Sequence, residues 1–339
     1  MLARQQNAVS THDMATSRQR NTTAMMNEAS GMSDMLAGCA DLTTLRWPLC
    51  QRGSFLQAAG ISRIQKSHNF LAQQSHELRA MNEAASSMRY LGILTGVSYV
   101  SGLDYFKTIN KRVGELISRD KCERMPKNAR LVMACVDCDT YVDFLEKGDT
   151  AGCSRYLMED GVARLVAAGA EVLVIASNTA HLICPAVLST YPQLEIVHIA
   201  DTTAAAIKAA GYNRVGLLGT QPTMQDGSWL KTRLGAHGVE VVVPQREAEL
   251  RRCYDIICQE LSFDILTEES RSFFVGLARA LVAEQGAQGV VLGCTEIELL
   301  VEQKDAPDVT LFASAALHME AAAKVQVGQL KASELAPVG

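Results

Sequence analysis

The sequence predicts an α/β fold of two pseudo-symmetric domains, each a parallel sheet flanked by helices, with a ligand cleft between them. The first observation is an internal repeat. The segments 169–179 (GAEVLVIASNT) and 286–296 (GAQGVVLGCTE) share an apolar pattern, and each runs eight residues from its first glycine to Ser177 or Cys294. Each copy is typical of a buried parallel strand that ends in a polar turn.

The second observation is the spacing of the two halves. Gly92 lies 85 residues before Ser177, and Gly216 lies 78 residues before Cys294. The third is that apolar runs alternate with helical periodicity, separated by short glycine-containing turns, which favours parallel sheets covered by helices. Because ligands bind beyond the carboxyl ends of such strands, Ser177 and Cys294 are expected to face one cleft.

In the first half, the apolar run 90–94 is closed by Thr95-Gly96, which predicts a strand, and helical periodicity follows over 105–117. Apolar runs at 131–136, 172–176 and 195–199 predict three further strands. Helices are predicted at 152–168 and 202–210. The order then restarts, with strands at 214–219, 239–243 and 290–292 and helices at 222–237, 251–261 and 268–285.

These elements divide the chain into an N-terminal extension (1–88), a first half (89–205), a second half (206–325) and a tail (326–339), with a return of the C-terminus to the first half left open. The extension is rich in Ser, Thr, Asn, Gln, Met and Ala and has no acidic residue before Glu28 except Asp13. Two interpretations stay open for it: an organellar targeting segment, or a disordered extension or upstream sequence. If the extension is not a targeting segment, a cytoplasmic location is expected.

Composition excludes several classes of function. The 339 residues are 48% hydrophobic and 20% charged, which is typical of a globular enzyme. A net charge of −5 without a basic stripe argues against a nucleic-acid partner, and no apolar run reaches membrane-spanning length. Cys135 and Cys138 form a CxxC without a second pair, so the ten cysteines favour reduced core thiols over a zinc site.

Short motifs occur in a fixed order over residues 89–325. They are Gly92-Ile-Leu-Thr-Gly-Val-Ser98, Asn178-Thr-Ala-His181, His198-Ile-Ala-Asp201, Gly293-Cys-Thr-Glu-Ile297 and His318. In this set the chain resembles the aspartate/glutamate racemase family, the cofactor-independent amino-acid racemases. The resemblance implies an active site between two α/β domains and chemistry that uses neither a cofactor nor a metal. It also implies a small acidic amino acid as ligand, and dimers are common among similar proteins.

The resemblance implies a role for individual residues. Cys294 is the thiol that exchanges the α-proton, and Ser177 occupies the position of the family's first catalytic cysteine. The remaining residues are expected to bind substrate: Val97, Ser98, Asn178, Thr179, Thr295 and Arg252, the last (or its neighbour Arg251) as a fork for a distal carboxylate. For Asn178, Thr179 and Thr295 a helix-capping turn is an equally open explanation. Glu296 and Asp201 are expected to be turn or cap residues, and His181 a structural hydrogen-bonding residue.

The serine is the main departure from the family pattern. An isolated hydroxyl is a weak acid and a weak base near neutral pH, so the two faces of a substrate should be served unequally. The sequence predicts a racemase acting on aspartate, glutamate or a similar acidic amino acid. Two alternatives stay open: a one-cysteine malonate-type decarboxylase with an apolar pocket, and a catalytically weakened protein that binds an acidic metabolite.

Overall fold

Two parallel sheets organise the part of the chain that the computed structural model describes, which is residues 88–117, 125 and 127–337. The predicted N-terminal extension, apart from Met88, lies outside the described residues. The first sheet has the strand order β2-β1-β3-β4. Its strands are β1 (Leu91–Thr95), β2 (Leu131–Cys135), β3 (Val172–Ile175) and β4 (Glu195–Val197). β1 and β3 are buried along their whole length, as expected for parallel strands covered on both faces.

The second sheet repeats this arrangement. Its order is β6-β5-β7-β8, and all its pairs are parallel. The strands are β5 (Arg214–Leu218), β6 (Glu240–Val242), β7 (Val290–Leu292) and β8 (Leu311–Ala313). The predicted fold class, two parallel sheets flanked by helices, is confirmed.

Twelve α-helices of the described chain cover the sheets. They are α1 (Tyr99–Ile117), α2 (Cys138–Glu146), α3 (Thr150–Tyr156), α4 (Ala163–Ala167), α5 (Cys184–Thr190), α6 (Ile199–Ala209), α7 (Gln221–Met224), α8 (Trp229–Ala236), α9 (Glu247–Gln259), α10 (Glu268–Gln285), α11 (Ile297–Leu300) and α12 (Ser314–Gln326). A π-helical turn, Leu157–Val162, joins α3 to α4. Each described helix is too short or too polar to cross a bilayer.

Two differences from the predicted helices have local causes. The helix predicted over 222–237 is broken into α7 and α8, because Gly227 has φ +73° and Ser228 starts a new helix by accepting the Lys231 N–H at 3.3 Å. Helix α2 was not predicted. It begins at the N-cap Asp137, whose carboxylate accepts the Thr140 N–H at 2.8 Å.

The C-terminal helix α12 brings the chain back to the first half. Ala315, Met319 and Ala322 on this helix are buried in one hydrophobic cluster with Ile93 of β1 and Tyr105 of α1. The helix follows β8 directly, so the chain completes the second sheet before it returns to the core of the first.

The two repeated segments end their strands in the same way. The Ala176 N–H donates to Leu94 O at 2.9 Å, and the Gly293 N–H donates to Leu218 O at 2.6 Å. Ser177 and Cys294 each follow the residue that makes this last sheet hydrogen bond. A side chain at Gly293 would place its Cβ 2.4 Å from Leu217 Cδ1 and 3.1 Å from Leu218 O, so a larger residue before Cys294 would require the Leu217 side chain to move.

Candidate active site

A cavity of about 480 Å³ lies where the carboxyl ends of the two sheets meet. Its wall contains seven of the eight residues that were predicted to be catalytic or to bind substrate: Val97, Ser98, Ser177, Asn178, Thr179, Cys294 and Thr295. They come from the ends of β1, β3 and β7, which is the edge where open α/β sheets bind ligands. The fold therefore brings together positions that are almost 200 residues apart.

Cys294 forms a hydrogen-bonded pair with Glu296. The Cys294 thiol donates to Glu296 Oε2 at 2.9 Å, and both residues are buried. Burial raises the pKa of Cys294 well above its ordinary value, and the negative charge of Glu296 raises it further. The resting thiol is therefore protonated and hydrogen-bonded to the Glu296 side chain.

The Glu296 carboxylate accepts from two further hydroxyls. Thr295 Oγ1 donates to Oε2 at 2.8 Å, and the Ser101 hydroxyl of α1 donates to Oε1. Because Ser101 belongs to the first half, these contacts hold Glu296 from both halves. Glu296 lies in a turn at the N-cap position of α11, as expected, but its side chain makes no capping hydrogen bond and instead faces the cavity and contacts the thiol.

Ser177 lines the cavity from the first sheet. Its Oγ accepts the Ala180 N–H at 3.3 Å, which orients the hydroxyl while leaving its proton free to be donated. The hydroxyls of Ser177 and Thr179 lie near the Tyr141 oxygen, where they act to lower the pKa of that phenol. Burial, the larger effect, raises it well above its ordinary value.

Two buried polar atoms in the cavity wall have no hydrogen-bond partner within the described residues: the Tyr141 hydroxyl and Asn178 Oδ1. The orientation of Asn178 is fixed, because its Nδ2 donates to Ser314 Oγ at 3.0 Å, and that hydroxyl donates to Leu292 O at 2.7 Å. Buried polar groups are normally satisfied, so these two atoms are unmet hydrogen-bonding groups of residues that line the cavity.

Hydroxyl contacts also join the two halves beside Ser177. Thr179 Oγ1 lies 3.1 Å from Thr220 Oγ1 and 2.9 Å from Thr223 Oγ1. Thr179 follows β3, whereas Thr220 and Thr223 follow β5, so this triangle of hydroxyls fixes one sheet end against the other. Thr179 thus has a structural role in addition to its place in the wall.

Comparison with known proteins identifies the family. The sequence profile of the family described as Asp/Glu/Hydantoin racemase matches residues 94–322, about two thirds of the chain, and spans both Ser177 and Cys294. The chain belongs to this family.

Solved structures agree with the assignment. The racemase-family chain is similar to a candidate Asp/Glu racemase from Yersinia pestis, with 34% identity, coverage of 71% of this chain and 100% of the other, and a TM-score of 0.61. It is also similar to an aspartate racemase homologue from Pyrococcus horikoshii OT3 (30% identity, 70% and 99% coverage, TM-score 0.56). An aspartate racemase from Picrophilus torridus (16% identity, 73% and 97% coverage, TM-score 0.52) shares the fold.

Arg252 is the one nominated residue that this racemase-family chain does not bring to the cavity. Its guanidinium on α9 donates to Glu269 at 3.1 Å and lies 3.9 Å from Glu260. Neither Arg252 nor its neighbour Arg251 is part of the cavity wall. Helical geometry explains the position of Arg252, because Tyr254, Ile257 and Cys258 occupy the face of α9 that lines the cavity. Arg251 lies one turn before Tyr254 on that face, but it is exposed and outside the wall.

Several residues of the cavity wall were not predicted from the sequence as site residues. From α2 they include Cys138, Tyr141 and Glu146, and from α9 Tyr254 and Cys258. Cys138 is half-buried and donates to Val97 O at 2.8 Å, and Cys135 is exposed, so neither is the core thiol that was expected. The apolar–polar pattern of α2, once its Asp137 cap is recognised, is the signal that could have placed its wall-lining face.

The motif histidines form a buried layer behind the cavity. His181 Nδ1 donates to Ser177 O at 2.7 Å and its Nε2 accepts the Ile199 N–H at 3.2 Å, so the ring is neutral and fully engaged. Burial lowers the pKa of His181 well below its ordinary value, that of His198 to about 3 and that of His318 to about 4. The structural role expected for His181 is confirmed. Asp201, expected to be a turn or cap residue, lies in the first turn of α6, and its carboxylate pairs with Arg233 and His237.

Proposed function

We propose that the chain is a cofactor-independent racemase that exchanges the α-proton of an amino acid through Cys294. The single observation that carries the proposal is the 2.9 Å hydrogen bond from the Cys294 thiol to Glu296 in a cavity that Ser177 also lines. The thiol passes its proton to the Glu296 carboxylate. The resulting thiolate then removes the α-proton, and the electron pair of the broken C–H bond moves into the substrate carboxylate.

The chemistry needs a site of this kind because the α-hydrogen of an amino acid is a very weak acid. A buried base at fixed distance and fixed donors around the developing negative charge lower the barrier most. Asn178 Oδ1 is suited to accept a hydrogen bond from the substrate ammonium group, since it is an acceptor without a partner in the described structure. The Thr295 hydroxyl and the loop at Val97 and Ser98 supply further polar groups around the substrate carboxylate.

The opposite face of the carbanion receives its proton from the wall formed by Ser177 and Tyr141. Both hydroxyls can donate to a strongly basic carbanion, but neither ionises readily enough to start the reverse abstraction at neutral pH. Exchange of the α-hydrogen with solvent is therefore faster for the enantiomer whose proton faces Cys294. The equilibrium between enantiomers stays equal, because a catalyst changes only rates.

The proposed α-proton exchange does not by itself determine which side chain the substrate carries. The names of the relatives favour aspartate or glutamate, which is the substrate class expected from the sequence. That expectation came from the family resemblance, and Arg252, the residue expected to bind the distal carboxylate, pairs with Glu269 outside the cavity wall. Aspartate and glutamate are the first substrates to test, and they must be tested against neutral and basic amino acids of equal length.

A one-cysteine malonate-type decarboxylase is the second candidate. One observation favours it: the aliphatic side chains of Val142, Leu145 and Ile257 line the outer part of the cavity. Such an enzyme needs one proton donor after loss of carbon dioxide, and Cys294 suffices. Release of carbon dioxide from an aryl malonate, without exchange on any amino acid, would favour this candidate.

The deciding experiment is proton NMR of amino acids incubated with the protein in deuterium oxide, followed by chiral chromatography. The Cys294→Ala variant is expected to lose exchange by a factor of at least about 100, as for removal of a general base. Cys135→Ala is the matched control, because Cys135 is exposed and lies outside the cavity wall. If Cys294→Ala exchanges as fast as this control, Cys294 is not the base.

A further inference from the structure

The outer part of the cavity is walled by two helices, one from each half. Helix α2 contributes Val142, Leu145 and Glu146, and α9 contributes Tyr254 and Ile257. The reacting groups Ser177 and Cys294 stand at the strand ends, so this outer wall surrounds the place of the substrate side chain. The cavity volume of about 480 Å³ leaves room for a side chain longer than that of aspartate.

The charge of this wall is negative. Glu146 and Glu296 are its ionisable carboxylates, and the described wall residues include no lysine or arginine. Three cations on or beside these helices lie outside the wall: Lys147 donates to Asp143 at 2.6 Å, Arg252 donates to Glu269, and Arg251 is exposed. A second carboxylate on the substrate would thus approach negative charge without a cationic partner in the described wall.

Glu146 is held in place across the cleft. The Tyr254 hydroxyl of α9 donates to Glu146 Oε1 at 3.2 Å, so the carboxylate is oriented by the opposite half and its other oxygen stays available. The aliphatic side chains of Val142, Leu145 and Ile257 line the same cavity. A wall that combines aliphatic side chains with a carboxylate suits a flexible side chain with a cationic end.

We propose, on the basis of the proposed α-proton exchange, that this wall is a side-chain subsite for amino acids whose long side chain ends in a positive charge, of the ornithine and lysine type. Val142, Leu145 and Ile257 pack along the methylene groups, and Glu146 pairs with the terminal ammonium. The same wall disfavours glutamate, because its distal carboxylate is repelled by Glu146.

The test compares three substrates of equal length and different charge: ornithine, glutamine and glutamate. Exchange of the α-hydrogen in deuterium oxide gives kcat/KM for each. An exposed ion pair is worth up to about fivefold in an equilibrium constant, so ornithine should exceed glutamine by about two- to fivefold, and glutamine should exceed glutamate by a similar factor. The order should weaken at high salt.

Two variants of Glu146 assign the effect. Glu146→Gln should bring the three values together, and Glu146→Lys should reverse their order. Glu284→Gln, which removes the same charge from an exposed position outside the wall, should keep the wild-type order. Circular dichroism confirms that each variant is folded.

The outcomes separate the two proposals. If glutamate or glutamine is the best substrate of the wild type, the cationic subsite is refuted while the racemase proposal stands. If no amino acid exchanges, the racemase proposal fails. Calorimetric binding of the three amino acids then decides the subsite independently, since tightest binding by ornithine supports it and any other order overturns it.

Discussion

Removal of the charge next to the Cys294 thiol is the sharpest test of the Cys294–Glu296 pair. In the wild type, burial and the neighbouring carboxylate raise the pKa of Cys294, so the thiol should react slowly with alkylating agents at pH 7. Glu296→Gln keeps the size of the side chain but removes its charge. The pKa of the thiol should then fall, and alkylation should become faster.

The size of the effect follows from the distance. At an effective dielectric constant of about 20, unit charges separated by the observed 2.9 Å repel by about 6 kcal/mol, which is an upper limit. Half of this energy would raise the thiolate population about 100-fold. A thiolate of lower pKa is a weaker nucleophile, with a Brønsted coefficient of about 0.45, so the net gain in alkylation rate is about tenfold.

The assay is alkylation by iodoacetamide at pH 7, followed by mass spectrometry of the peptide that contains Cys294. Cys135 is exposed and outside the cavity wall, so it reports any general change in reactivity. Cys138 and Cys258 do not serve this purpose, because the charge of Glu296 also raises the pKa of their thiols. Glu284→Gln controls for the loss of one negative charge. An unchanged or slower rate at Cys294, with a normal rate at Cys135, would refute the pair.

Three further predictions follow from the site and its supporting layer. Ser177→Cys should raise the racemisation rate about tenfold or more, because a thiol is a far better acid and base than a hydroxyl; chiral chromatography measures it, and no gain would favour the weakened binding protein. Tyr141→Phe should slow deuterium incorporation on the Ser177 face about tenfold, as measured by NMR, and equal rates in the variant and the wild type would exclude Tyr141 from catalysis. The same variant should change the unfolding free energy by less than about 1 kcal/mol, because the Tyr141 hydroxyl has no partner in the described structure. The unfolding free energy should fall by about 4 kcal/mol as the pH is lowered from 7.5 to 5.5, because three histidines whose pKa is lowered in the folded state take up protons only in the unfolded state. Urea denaturation measures this, and an unfolding free energy that does not change with pH would contradict it. These histidines are His181, His198 and His318.

Local sequence was sufficient for seven of the eight described strands and for the place of the site, whereas β8 was not predicted. Parallel strands that are buried on both faces appear as apolar runs. The repeated segments around Ser177 and Cys294 therefore predicted both strands and the equivalent positions of their ends. Elements without such a pattern were missed. Helix α2 depends on a single capping interaction at Asp137, and the broken helix before His237 depends on one glycine.

What the sequence by itself determined is the repeat, the parallel α/β class and the unequal pair Ser177 and Cys294, since each of these is encoded in residues close together along the chain. Tertiary structure alone decided which side chains meet at the cavity. It placed the Glu296 carboxylate on the thiol and Tyr141 beside Ser177, and it turned Arg252 away toward Glu269. The physical reason is that a side chain's direction depends on the rotation of its helix and on the packing of the opposite half, and neither is written in a local pattern.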